Sequence, residues 1–248
     1  MFRAWKQYLV HAPVVGDALW RWGRKLRPSR PEFAGTRDFW ESRYRRGGDS
    51  GVGSYGKFAQ FKAEVLNRLV RQHDIRSVIE FGCGDGHQAS LAEYPRYAGY
   101  DISVSAIERC RRLFQQDATK RFMLVEQYAG ETADLAISLD VLFHLVEEDL
   151  FADYLRRLFQ AAERYVVIYS SNGEVDEKSA AAASAHHVRH RRFTDWVDQR
   201  VAGWRLRERI PNRYPYRGNS LRGSFSDFYI YEREPPELSQ VPAATRSG

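Results

Sequence analysis

Residues able to do chemistry gather in four short stretches of this 248-residue chain. The first is "VIEFGCGDGHQASL", residues 78–91, where Gly82, Gly84 and Gly86 follow a short apolar run and Glu80 stands just ahead of them. Glycines in a turn between strand and helix remove Cβ atoms, so backbone can approach a nucleotide-like ligand closely. A dinucleotide site requires G-x-G-x-x-G/A, with a small third residue packing helix on strand. Here the spacing is G-x-G-x-G, and His87 takes the place of that small residue. Glu80 is poorly placed for a pyrophosphate and well placed for a cation.

S-adenosylmethionine carries a sulfonium and an ammonium and no phosphate, so the turn favours that cofactor over a nicotinamide. The second stretch, "YAGYD", ends on Asp101, 21 residues after Glu80. That is close to the ~20-residue offset at which an acid meets ribose hydroxyls, and a carboxylate there accepts two bonds from a diol. The third stretch, "SLDVLFHL", places Asp140 and His144 four residues apart after another apolar run.

The elements that must position these residues alternate. Phe58, Phe61, Val65 and Leu69 recur at helical spacing, predicting an amphipathic helix over 57–72. Strands are predicted at "SVIEF" (77–81), "YAGYD" (97–101), "RFMLV" (121–125), "ADLAISLD" (133–140) and "RYVVIYSS" (164–171). Helices fall between them: one from the glycine turn to about Tyr94, and "SVSAIERCRRLF" with a capping box from Ser105 to Glu108. Another runs from Glu147 to Ala162 with acids in its first turn, where the helix dipole favours them, and a short one lies at "FTDWVDQ". The last two strands, around "WRLRERI" and "FSDFYIY", alternate with period two, as antiparallel edge strands of a half-exposed sheet do. The expected fold is α/β: a doubly wound, seven-stranded, mostly parallel sheet with the last strand antiparallel.

"VIEFGCGDG", "GYD" and "ADLAISLDVLFHL" resemble the motifs of the class I S-adenosylmethionine-dependent methyltransferases, and the resemblance covers roughly residues 55–232. It implies that Glu80, Gly82, Gly84 and Gly86 line the methionine part of the cofactor, with Cys83 and Ile102 beside it. Asp101 would hold the ribose, and Asp140 would lie beside the transferring methyl. Adenine would meet "VEQY", where Glu126, Gln127 and Tyr128 are all candidates. Cys83 reads as a small buried filler, since no base is assignable to it.

On the acceptor side, a hydroxyl benefits from a general base, and His144 is the candidate, with an ordinary pKa near ~6.5. The fourth stretch is the insertion "SSNGEVDEKSAAAASAHHVRHRRF", whose His186, His187, Arg189, His190, Arg191 and Arg192 form a basic cluster. These residues are expected to bind an anionic or polyhydroxylated acceptor, arginine forks gripping it. "NRYPYRGNSLRGS", with Tyr214, is expected to form a second wall. Asp140, Asn172 and a histidine match no zinc spacing, so no metal is expected. The resulting expectation is O-methylation of a sugar hydroxyl on a glycan or glycolipid. The alternatives are an RNA or small-metabolite methyltransferase, or a non-catalytic cofactor-binding partner subunit.

Composition sets the frame. Hydrophobic residues make up 43% and charged residues 28%, an ordinary globular balance with a formal charge of +6. Two cysteines, Cys83 and Cys110, exclude a disulfide framework and fit a reducing compartment. Residues 1–35 read as a basic aromatic leader and linker, 36–234 as the methyltransferase domain, and 235–248 as a disordered tail. The leader lacks the features of a signal peptide, so a cytoplasmic location is expected. Its Trp and Arg residues over 1–27 suit peripheral contact with anionic membrane at the inner face. Nucleic acid is not expected as a partner, because the basic residues form no long stripe.

Overall fold

The computed structural model describes residues 35–173 and 187–235. The leader, the tail and residues 174–186 of the insertion, including His186, lie outside the described residues. Helix α1 (Thr36–Arg45) and a single 3-10 turn (Val52–Ser54) precede α2 (Gly56–Gln72). There follow β1 (Val78–Phe81), α3 (His87–Ser90), β2 (Tyr97–Asp101), α4 (Val104–Leu113), β3 (Lys120–Leu124) and β4 (Ala133–Leu139). The remainder is α5 (Glu148–Gln160), β5 (Ala162–Ser170), α6 (Phe193–Arg200), β6 (Trp204–Ile210) and β7 (Asp227–Arg233).

The sheet has the order β3-β2-β1-β4-β5-β7-β6. Every strand is parallel to β1 except β7, which runs antiparallel to both β5 and β6. The chain steps outward from β1 to β3 and then returns to the other side of β1 with β4. That reversal opens a crevice at the carboxyl ends of β1 and β4, the place where open α/β sheets bind ligands. Phe61, Leu66 and Leu69 of α2 and Ile107 of α4 pack on one face of the sheet. Phe151, Leu155 and Leu158 of α5 and Phe193 of α6 pack on the other.

Three local readings change. Strand β7 is an interior strand, not an edge: Phe228, Tyr229, Ile230 and Tyr231 are all buried, because it pairs on both sides. Only β6 is the half-exposed edge. Helix α3 stops at Ser90 rather than near Tyr94, whose ring is drawn into the core against Tyr97. Helix α4 is capped by Ser103, whose hydroxyl accepts from the Ala106 N–H at 3.1 Å. Ser105, expected to open a capping box, instead donates to Glu41 of α1 at 2.7 Å. Among the described residues no helix is long and apolar enough to cross a membrane.

Candidate active site

A cavity of about 660 Å³ lies over the carboxyl ends of β1, β2 and β4, covered by α1 and the segment after it. Beyond β1, the N–H groups of Gly82 and Cys83 both donate to the Tyr100 carbonyl, at 2.7 and 3.0 Å, which bends the turn toward β2. Gly84 has a φ of +58°. A Cβ on it would meet Ser50 Oγ at 2.3 Å, so its missing side chain admits a neighbouring segment of the chain. Gly82 is crowded likewise by Val141, while Gly86 faces Cys110 and Phe114 and lies outside the cavity lining. Its job is packing α4 against the turn. Cys83 lines the cavity but is buried, and burial pushes its thiol well above the ordinary range, so it presents no thiolate.

Glu80, Asp85, Asp101, Glu126, Asp140 and Asp153 all line the cavity. Asp101, 7% exposed, accepts from the Gly84 N–H and the Ser103 N–H, each at 2.9 Å. Burial raises it to about 6 despite those bonds. Glu80, 3% exposed, accepts from the Tyr97 hydroxyl at 2.5 Å, and burial raises it to about 7. Of the three candidates after β3, only Glu126 lines the cavity, with Val125 beside it. Gln127 is turned to its own backbone, accepting from the Leu124 N–H, and Tyr128 donates to the Glu131 carbonyl. Ile102 lines the cavity and its carbonyl accepts from Arg37 at 3.0 Å.

Asp140 has a φ of +59°, a left-handed backbone that a non-glycine residue keeps only when its surroundings hold it there. Its N–H donates to the Tyr169 carbonyl at 2.8 Å, Ser226 donates to Oδ1 at 2.7 Å, and Lys62 donates to Oδ2 at 2.9 Å. His144 also lines the cavity. Its Nδ1 lies 3.1 Å from the His187 carbonyl, which can only accept, so Nδ1 carries the proton and Nε2 the lone pair. Burial lowers His144 to about 4, leaving it neutral around pH 7. Trp40 sits edge-on to its ring at 4.9 Å, and His187 stacks on it at 5.5 Å.

The insertion is divided by this geometry. His187 and His190 line the cavity, His190 bonded to Ser171 at 2.6 Å. Arg189 and Arg191, expected to grip the acceptor, are directed elsewhere. Arg191 donates to the Leu145 and Val146 carbonyls at 2.6 and 2.9 Å, and Arg189 pairs with Glu148 at 3.0 Å. Two backbone carbonyls satisfy the Arg191 guanidinium, and these carbonyls are at hand. Tyr214 also lies outside the lining, packed edge-on against Phe58 and Phe61. Its loop still supplies a wall, through Ser220 and Gly223 to Ser226. Asn172 bonds Thr194 at 2.9 Å rather than converging with Asp140.

Sequence reasoning missed the roof and one buried cation. Glu41 of α1 accepts from Ser103 and Ser105, and Arg109 donates to the Tyr44 and Gly48 carbonyls. Asp85 accepts from the Ser50 N–H and the Tyr55 hydroxyl, each at 2.8 Å. The expected domain begins at residue 36, but no helix is predicted over Thr36–Arg45. Lys62 did leave a signal, since it interrupts the apolar stripe of α2 one residue after Phe61.

The lining suits a cationic ligand without phosphate. Glu80, Asp101, Glu126 and Asp140 face it, while the basic groups in the lining are engaged: Lys62 by Asp140, Arg37 by Glu126, Arg43 by Asp49 and Arg157 by the Val125 carbonyl. A seven-stranded sheet with this order and an acid-lined crevice at its switch point defines a methyltransferase of the class I fold. A family model described as a methyltransferase domain matches residues 55–224, and the chain belongs to that family. Among solved structures, the N-methyltransferase NodS from Bradyrhizobium japonicum WM9, in complex with S-adenosyl-L-homocysteine, is 17% identical. The match covers 81% of this chain and 99% of that one, with a TM-score of 0.60. Magnesium protoporphyrin IX methyltransferase (ChlM) from Synechocystis PCC 6803, with bound S-adenosylhomocysteine, is 19% identical over 80% of this chain and 98% of its own, with a TM-score of 0.58. No curated protein sequence matches the chain.

Proposed function

We propose that this methyltransferase uses S-adenosylmethionine to methylate a hydroxyl oxygen on an uncharged, ring-bearing acceptor, a sugar ring of a glycan or glycolipid. The observation that carries the reading is His144, a neutral imidazole with its tautomer set by the His187 carbonyl, four residues beyond Asp140 in the same cavity. When bound, the cofactor supplies an electrophilic methyl on a sulfonium. Asp101 is the acceptor for ribose hydroxyls, Glu126 stands at the adenine end, and Glu80 and Asp140 face the methionine end. His144 takes the hydroxyl proton at Nε2, and the walls hold the acceptor in line, since alignment supplies much of the rate in such a displacement.

The parts of the lining from 143–150, 187–190 and 220–226 carry no Asp, Glu, Lys or Arg among the described residues. They present Phe143, His144, His187 and Phe225 instead. Aromatic faces of this kind suit the apolar face of a sugar ring, and the absence of a fixed charge there disfavours a phosphorylated acceptor. Extracts incubated with methyl-labelled cofactor and the protein, followed by mass spectrometry, test the reading. A labelled methyl ether on a hexose supports it; label on nitrogen or on RNA overturns it.

A further inference from the structure

Lys62 is 0% exposed, although it lies on a helix that ends in solvent only three turns later. Its ammonium stands 2.9 Å from Asp140 Oδ2 and 5.2 Å from the centre of the Tyr169 ring. Asp140 passes the contact on through Ser226, whose carbonyl accepts from Asn212, which in turn donates to the Tyr169 hydroxyl. One buried cation thus ties α2, the residue after β4 and the β6–β7 loop into a single unit at the methionine end of the cavity. Burying an ion pair brings little net stability compared with apolar side chains in the same space. A lysine here is better explained by what it does to the acids around it.

The geometry points to Lys62 as a positioning residue for the cofactor site: its ammonium fixes the Asp140 carboxylate and balances one of the two acids, Asp140 and Glu80, leaving one negative charge for a cationic ligand. Glu80 is surrounded by Tyr97, Tyr94, Cys83, Asp101, Tyr154 and Lys62, and Lys62 is the one cation in that set. Asp140 faces Lys62, Ser226, His144 and Tyr169. With Lys62 neutralised, Glu80 would hold its proton to higher pH. A ligand ammonium would then be met by a neutral acid. Raising the pH would restore the carboxylate and the affinity.

This inference rests on the reading of the cavity as an S-adenosylmethionine site. The test is calorimetric binding of S-adenosylhomocysteine from pH 5.5 to 9 to the full chain, with Lys62→Met and Lys62→Arg variants and their melting temperatures. Asp140 lines the cavity and gains water when its partner is lost, so the Met variant is expected to fold. The expected result is a tenfold or greater loss of affinity at pH 7 in Lys62→Met, with the pH midpoint of binding raised by about one unit. Lys62→Arg should keep the wild-type midpoint. A Met variant with wild-type affinity and midpoint overturns the inference. Should that variant not fold, Lys62→Arg decides alone: a midpoint moved by a full unit with charge retained overturns it. Wild-type protein that binds no S-adenosylhomocysteine would instead defeat the functional reading on which the inference stands.

Discussion

Replacing Asp101 by Ala sets two opposed effects against each other. The variant orphans the N–H groups of Gly84 and Ser103, now held at 2.9 Å. Each buried unpaired donor costs about 1–3 kcal/mol, so about 2–6 in all. Against this, the wild-type carboxyl titrates at about 6 rather than 3.8. A raised folded pKa means that the native state binds its proton more tightly than the unfolded chain. Stability is therefore lost as pH rises from 3.8 through 6, and about 3 kcal/mol is missing at pH 8. Alanine removes that burden. At pH 8 the effects nearly cancel, leaving a net loss of about 1 kcal/mol, or about 2–4 °C in melting temperature. At pH 5 the wild-type group is mostly protonated, the relief shrinks, and the deficit of the variant grows. Ligand binding has no such offset: a lost charge-assisted bond to a diol weakens it by about 10–100-fold. Thermal unfolding at both pH values and calorimetry with S-adenosylhomocysteine check this. Unchanged affinity, or a larger stability deficit at pH 8 than at pH 5, would refute the reasoning.

His144→Ala should lower kcat by ~10²–10⁴-fold with cofactor affinity unchanged, and the wild-type kcat at saturating cofactor should fall on acidification toward pH 4, where the imidazole protonates. Arg191→Ala should also lower kcat with little change in the acceptor's KM, since its partners are the carbonyls just after His144; steady-state kinetics separate the two outcomes. Gly84→Ala drives a Cβ to 2.3 Å from Ser50 Oγ in a left-handed backbone, so the 48–51 segment should detach, seen as faster tryptic cleavage near Arg46 and weaker cofactor binding. Glu80 titrates at about 7, so a ligand cation beside it should expel part of a proton at pH 7, read as a buffer-dependent binding enthalpy; buffer independence would count against Glu80 as its partner. For the leader we expect weak, salt-sensitive attachment to anionic vesicles, with about 1 kcal/mol from each basic residue near the surface. Sedimentation of full-length and 28–248 protein decides it, and identical partitioning defeats the idea.

The parts of the site that were legible in sequence are those set by local geometry. Close spacing of Gly82 and Gly84 after an apolar run leaves few backbone solutions, and Asp101 and Asp140 stand at the end of β2 and just after β4, whereas Gly86 packs α4 outside the lining. Helix α1 was illegible because polar bonds dock it, from Thr36, Glu41 and the carbonyl of Tyr44, and such bonds leave no hydrophobic period. The exchange of edge and interior between β6 and β7 has a similar cause. Both segments alternate, and only the pairing of β7 with β5, about sixty residues earlier in the chain, places it inside the sheet, where apolar clusters cover both of its faces.

The arginine cluster shows where composition misleads about function. Its residue types were read as a grip on the acceptor, yet Arg189 and Arg191 are engaged by Glu148 and by backbone carbonyls, and the insertion meets His144 through its backbone. The Arg189 N–H donates to the Phe143 carbonyl at 2.7 Å, and the His187 carbonyl sets the proton on His144. Arg191 fixes the carbonyls of the next two residues. From the other side, the Thr36 hydroxyl of α1 donates to the His144 carbonyl at 2.9 Å. The histidine is therefore held by the His187 carbonyl at its ring and by the Thr36 hydroxyl at its own carbonyl, and its tautomer is independent of any titratable side chain bonded to Nδ1. A base held in that way keeps one protonation state across the neutral range. On the proposed reading, recognition of the acceptor falls to the aromatic rings and the β6–β7 loop, which line the cavity apart from the contacts that hold His144.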